Sequence, residues 1–136
     1  MKKVISITAV IALVAVLTLA LVACVPADPD KAAANLEEAG YIVSNVKASQ
    51  GTGVQLGLNA VAKGCVAMVT GTLISTAGTE SVAICYFNSA EDAKAYYEKI
   101  KAEYDELDDE EKEGYKFGKS GKVIYAGTEA GVKAAG

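Results

Sequence analysis

The sequence has no arginine, no histidine and no tryptophan, and it has only two prolines and three cysteines. Without arginine there is no guanidinium for a bidentate clamp on a carboxylate or phosphate. Without histidine there is no imidazole for a Ser-His or Cys-His dyad or for a metal ion. Much of ordinary enzyme chemistry is therefore excluded, and we expect neither a catalytic site nor a protein-bound metal.

The 136 residues are enough for one domain, and their apolar content is concentrated at the amino terminus. Met1-Lys2-Lys3 is a short cationic start, and Val4 to Ala23 contains only three polar side chains. A charged start followed by an apolar run predicts a signal helix. By length alone, the same run could also cross the ~30 Å hydrocarbon layer of a membrane.

The end of the apolar run favours the first of these alternatives. Leu21-Val22-Ala23-Cys24 resembles the lipobox of bacterial lipoproteins, in which a branched apolar residue and two small or apolar residues precede a cysteine. The resemblance implies cleavage between Ala23 and Cys24 and a thioether-linked diacylglycerol on Cys24, with or without an acyl group on the new amino terminus. It implies no other cofactor. Because two acyl chains give stable anchoring, we expect the protein on the extracytoplasmic face of the cell membrane.

The predicted boundaries are a signal peptide at residues 1–23, a lipid-anchored linker at 24–28 and a single globular domain at 29–136. Without Lys2 and Lys3, the mature chain has 11 lysines against 17 acidic residues, a formal charge of -6. A net negative surface lacks the positive field that nucleic acids require, so no nucleic acid is expected as a partner. The expected partners are the membrane, through the lipid, and an envelope protein or a second copy of the chain.

Local patterns in the mature chain predict helices alternating with strands. Asp28-Pro29 is typical of a helix start, with Asp as the N-cap and Pro at the first helical position, and Gly40 can end that helix. The composition of residues 49–53 predicts a flexible loop, and residues 56–63 could form a short helix. Strand patterns occupy residues 41–48, 65–75 and 81–87.

The second half begins with a polar helix start at Asn88, and its apolar residues recur every three or four positions to about Glu113. This spacing predicts one long amphipathic helix. A hairpin around residues 119–121 follows, and Thr128 can cap a short final helix. The order α-β-β-β-α-β-β-α, after the apolar signal helix, predicts an α+β fold: an antiparallel sheet of about five strands with helices packed on it.

Both faces of the predicted strands 65–75 and 81–87 are apolar, which is typical of central strands covered on both sides. We expect helices over one face, and the sequence leaves open what covers the other. The segments from Ala34 to Val43 and from Gly121 to Thr128, with the acidic, Tyr-rich helix between them, resemble small uncharacterised lipoproteins of Gram-positive anaerobes. That resemblance extends over most of the mature chain and implies a type of host, but no particular activity.

Seven carboxylates lie between Asp105 and Glu113. Asp105, Asp108 and Asp109 are candidates for weak binding of a divalent cation, because hard cations prefer oxygen ligands. The alternating acids and central glycine of an EF-hand loop are missing. The other interpretation is therefore a solvated surface of mutually repelling charges.

Cys65 and Cys85 remain once Cys24 carries lipid, and an extracytoplasmic compartment permits a disulfide between them. A tight turn around Gly78 would pair Cys85 near Thr70, which is roughly 16 Å from Cys65 at 3.3 Å per residue. A disulfide requires Cα atoms within ~7 Å. We therefore expect two buried free thiols.

These features favour a non-catalytic, membrane-anchored lipoprotein whose domain binds another component of the cell envelope. The alternative is a lipoprotein that binds or senses a small ligand or a divalent cation. Such a protein would use the glycine-rich loop at Gly51 to Gly53 or the acidic end of the long helix.

Overall fold

The computed structural model describes residues 25–136, which form a five-stranded antiparallel sheet with α-helices packed on both faces. The predicted signal helix and Cys24 lie outside the described residues. No helix within residues 25–136 is long and apolar enough to cross a membrane. The elements are, in chain order, α1 (Pro29–Glu38), β1 (Ile42–Lys47), a 3-10 turn (Ala48–Gln50), α2 (Thr52–Val61), β2 (Cys65–Ser75), β3 (Gly78–Phe87), α3 (Ala90–Asp105), α4 (Asp109–Lys112), β4 (Tyr115–Ser120), β5 (Val123–Thr128) and α5 (Glu129–Ala135).

The strands are arranged in the order β1-β2-β3-β5-β4, and every neighbouring pair is antiparallel. The predicted α+β class and five-stranded antiparallel sheet are thus confirmed. We call one end of this sheet the proximal end. It contains the last residues of β1, β3 and β4 and the first residues of β2 and β5. The opposite end, with the β2–β3 turn, is the distal end.

The core is divided between the two faces of the sheet. On β3, Ile84 and Tyr86 point to the face that α1 and α5 cover, whereas Cys85 and Phe87 point to the face that α2 and α3 cover. Ile84 is among the largest side chains that are fully buried. Helices therefore cover both faces of the sheet, including the one whose cover the sequence left open.

Helix α1 has a side-chain cap at its start and is hydrogen-bonded to the end of α5. The Asp28 side chain accepts a hydrogen bond from the backbone N–H of Asp30 (2.9 Å), with Pro29 at the first helical position, as predicted. Gly40 then leaves the helix with a φ of 91°, in the left-handed region. The Asn35 side-chain amide donates to the carbonyl of Ala135 (3.0 Å), which joins α1 to the end of α5.

Helix α2, between β1 and β2, is missing from the predicted order. The expected loop at residues 49–53 is instead the end of the 3-10 turn and the first turn of α2. Leu58 and the following Ala62 are buried against the sheet in the same cluster as Cys65. This burial stabilises a helix whose two glycines give it a low intrinsic propensity.

The prediction of one long helix from Asn88 to Glu113 is wrong. Helix α3 ends at Asp105, and the short helix α4 begins at Asp109. The Asp108 side chain accepts from the backbone N–H of Glu111 (2.8 Å), and the Glu111 side chain accepts from the backbone N–H of Asp108 (3.1 Å). This capping box starts a new helix in the middle of the acidic run.

Two glycines on different elements give opposite predictions for substitution by alanine. A Cβ at Gly127 would clash with the backbone of Ser81 and Val82, whereas a Cβ at Gly57, on the outside of α2, would meet nothing within 4 Å. We expect Gly127→Ala to destabilise the fold by roughly 1–3 kcal/mol through overpacking. Gly57→Ala should stabilise it by roughly 0.5–1 kcal/mol. Thermal unfolding of the full-length protein in mild detergent, followed by circular dichroism, tests the pair. Equal melting temperatures would contradict the packing described for β3 and β5.

Candidate functional site

The predicted site residues fall into two groups. Leu21, Val22, Ala23 and Cys24 lie outside the described residues, so the lipobox remains a prediction from the sequence. The candidate cation ligands Asp105, Asp108 and Asp109 are all described and exposed.

In the described structure these three carboxylates do not converge on a common partner, and two of them have separate partners. The Asp105 carboxylate pairs with Lys101 (2.9 Å), and Asp108 caps α4. Asp109 is the first residue of α4. Within residues 25–136, no group of three or more His, Cys, Asp or Glu side chains is arranged to hold a metal ion. No contact of these residues favours the cation interpretation over a solvated acidic surface.

The described chain is packed against the domain from its first residue. Val25 is only 4% exposed and belongs to the core beneath α1 and α5. The Tyr86 hydroxyl donates a hydrogen bond to the carbonyl of Pro26 (3.0 Å). Residues 25 and 26, which the sequence assigns to the linker, therefore lie on the folded domain. Because Tyr86 is near the end of β3, they lie at its proximal end.

Large apolar side chains are exposed at this same proximal end. We call Leu56 and Val61, on α2, and Val66, just after it, the α2 surface; their exposed fractions are 66%, 51% and 38%. Helix α2 follows the end of β1 and precedes the start of β2, which places it at the proximal end. Its ten residues include no charged side chain, unlike the other four α-helices of residues 25–136. This uncharged run is the sequence signal that could have revealed the surface.

A cavity of about 390 Å³ lies between Val66 and the start of the described chain. Val66 lines it together with Ala27 and Pro29, and Lys122 from the β4–β5 turn also lines it. Val66 is displaced from the regular β2–β3 pairing by an irregularity between Cys65 and Ala67, which explains its exposure. The entry of the chain, Val66 and the β4–β5 turn are thus neighbours.

Cys65 and Cys85 are buried free thiols, as expected, but the expected distance between them is wrong. The β2–β3 turn consists of Thr76 and Ala77 and lies before Gly78, so β3 residues pair with β2 residues two positions earlier than expected. Cys85 therefore pairs with Met68, and the irregularity at Val66 brings Cys65 opposite Phe87. Both thiols lie on the face covered by α2 and α3, and the Cys65 thiol donates a hydrogen bond to the carbonyl of Ala67 (3.3 Å).

The pKa values of the two thiols are shifted in opposite directions. Interaction with the neighbouring Cys85 thiol lowers the pKa of Cys65, against the effect of burial. Interaction with Cys65 and the burial of Cys85 raise the pKa of Cys85.

No protein-family model, no curated protein and no solved structure matches this chain. The residues at the proximal end must therefore be interpreted through their own geometry.

Tyr86 predicts a pH dependence of stability. Burial, and to a lesser extent the nearby Asp28 carboxylate, raise the pKa of Tyr86 above its ordinary range. The unfolded chain releases this proton near pH ~10 while the folded chain keeps it, so the contribution is complete below pH ~10 and is lost as pH rises above it. Tyr86→Phe should unfold more easily at neutral pH by about 1 kcal/mol, because the Pro26 carbonyl loses its donor. It should also lose less stability than the wild type between pH ~9 and ~11. Chemical denaturation at several pH values tests both effects, and parallel pH profiles would contradict them.

Proposed function

We propose that this protein is an extracytoplasmic lipoprotein, anchored in the cell membrane by diacylglycerol on Cys24, whose folded domain is a non-catalytic interaction module of the envelope. The observation that carries the interaction role is the α2 surface: Leu56, Val61 and Val66 are exposed on a segment whose helix has no charged residue. Large exposed apolar patches mark interaction sites, and these three side chains are proposed to contribute to one.

The buried start of the described chain supports the anchoring role. Val25 packs in the core and the Pro26 carbonyl is hydrogen-bonded to Tyr86, so the domain begins one residue after the proposed lipid attachment site. A lipid on Cys24 would hold the domain directly at the membrane surface. The exposed residues of α2 would then be presented at that surface.

The alternative function, a sensor of a small ligand or a cation, has less support from the described residues. The predicted glycine-rich loop contributes Gly53 to helix α2, where it is exposed, and Gly51 precedes the helix. The acidic residues after α3 are held in a capping box and a pair with lysine. Neither arrangement presents several converging polar groups, which a ligand site usually requires.

Lipid attachment is tested by comparing wild-type protein with a Cys24→Ala variant in intact bacterial cells. For the wild type we expect an amino-terminal peptide that begins at Cys24 and has the mass of a diacylglyceryl adduct, and we expect the protein in the membrane fraction. The variant should keep residues 1–23, since the lipoprotein signal peptidase requires the modified cysteine. An unmodified Cys24 in the wild type would contradict the proposal.

The interaction role is tested by chemical cross-linking of the same cells. Wild-type protein should give discrete adducts, and a Leu56→Asp variant should lose them while it retains the lipid on Cys24. Ile74→Asp is the matched control, because Ile74 is similarly exposed (72%) but lies at the distal end. Equal adducts from all three proteins would remove the α2 surface from the proposed function.

A further inference from the structure

We infer that the domain docks on the lipid bilayer with its proximal end, so that the α2 surface meets an envelope partner at the membrane and the distal end projects away. This inference rests on the proposed lipid anchor and names what that anchor places against the domain. Three independent features of the described residues lead to it.

The first feature is where the chain enters the fold. Twenty-four residues precede Val25, and Val25 is buried in the domain. Consecutive Cα atoms are ~3.8 Å apart, so a lipid on the preceding cysteine leaves no flexible segment between the membrane and the fold. The lipid would therefore hold the proximal end of the domain against the headgroups.

The second feature is the chemistry of the proximal end. Leu56, Val61 and Val66 supply apolar side chains of a size that enters the boundary between headgroups and acyl chains. Lys63 and Lys122 are exposed beside them, and lysines can keep their ammonium groups among the headgroups while their stems cover apolar surface. Exposed apolar side chains accompanied by lysines suit a lipid surface.

The third feature is the distribution of acidic residues. The seven carboxylates between Asp105 and Glu113 follow the end of α3, which runs from the proximal to the distal end. A groove at the distal end adds Glu80 and Glu129, beside Lys133. Docking by the proximal end keeps these charges away from anionic lipid, whereas docking by the distal end would bring them against it.

Acids are also present at the proximal end, and they do not oppose this orientation. Asp30 is paired with Lys47 and also accepts from the Asn45 side chain (2.8 Å). Asp28 and the N-cap region of α3, with Glu91 and Asp92, are accompanied by the exposed lysines at positions 31, 63, 94 and 122. The proximal end is therefore close to neutral, in contrast to the distal end.

The test uses the full chain, purified from bacterial membranes and placed in vesicles of phosphatidylcholine with a minority of phosphatidylglycerol. Single cysteines introduced by Leu56→Cys or Ile74→Cys carry an environment-sensitive fluorophore, and nitroxide groups on the lipid acyl chains act as quenchers. The two positions have similar exposure in the domain, 66% and 72%, and differ in which end they occupy. The native thiols at 65 and 85 are 1% and 6% exposed, so native labelling is confined to the introduced cysteine once Cys24 carries lipid.

We expect quenching at position 56 to exceed quenching at position 74 by roughly two-fold or more, because an interfacial helix buries its apolar side ~5–10 Å into the boundary region. Equal quenching in a protein whose amino-terminal peptide carries the lipid would overturn the docking while leaving the anchor intact. An amino-terminal peptide without lipid would overturn both proposals. A disulfide between two copies of the Leu56→Cys variant through the introduced thiol, with no quenching by lipid, would overturn the docking in favour of self-association.

Discussion

The fold depends on the burial of strand β3 on both of its faces. Ile84 and its neighbour Cys85 belong to two different cores, one beneath α1 and α5 and the other beneath α2 and α3. Each helix layer can bury its apolar side only because β3 and its neighbours present apolar residues in both directions. Four of the five strands pair as two hairpins, and β5 joins these hairpins by pairing with β3.

This two-sided arrangement explains which parts of the fold the sequence predicts. The alternation at residues 82–87 indicates two covered faces, and Asp28-Pro29 marks a helix start through local hydrogen bonding that needs no tertiary contact. Helix α2 was not predicted with these bounds because its helical state depends on the contact of Leu58 and Ala62 with the second core. Two glycines and no N-cap side-chain bond give its sequence little local preference for a helix.

The candidate site shows the same division between local and tertiary information. The turn at Thr76-Ala77 shifts the β2–β3 register by two residues, and with the irregularity at Val66 this brings Cys65 opposite Phe87, two residues from Cys85. Residue spacing along the chain cannot reveal such an irregularity. The lipobox can be recognised in the sequence because a signal peptidase reads a linear motif. By contrast, only the fold brings Val66 beside Ala27 and Pro29 at the entry of the chain.

The two ends of the sheet differ in a way that suits a tethered domain. The proximal end has the chain entry and the exposed side chains of the α2 surface, and the distal end has exposed Ile42 and Ile74 and most of the acidic charge. Under the proposed anchoring, the measurement that tests this polarity most directly is modification of lysines by a membrane-impermeant acylating reagent, with wild-type protein in vesicles. Lys63 and Lys122 at the proximal end and Lys116 and Lys133 elsewhere are all exposed in the isolated domain. With each rate divided by that of the unfolded chain, the account predicts slower modification of Lys63 and Lys122, whereas equal rates at all four lysines would contradict it.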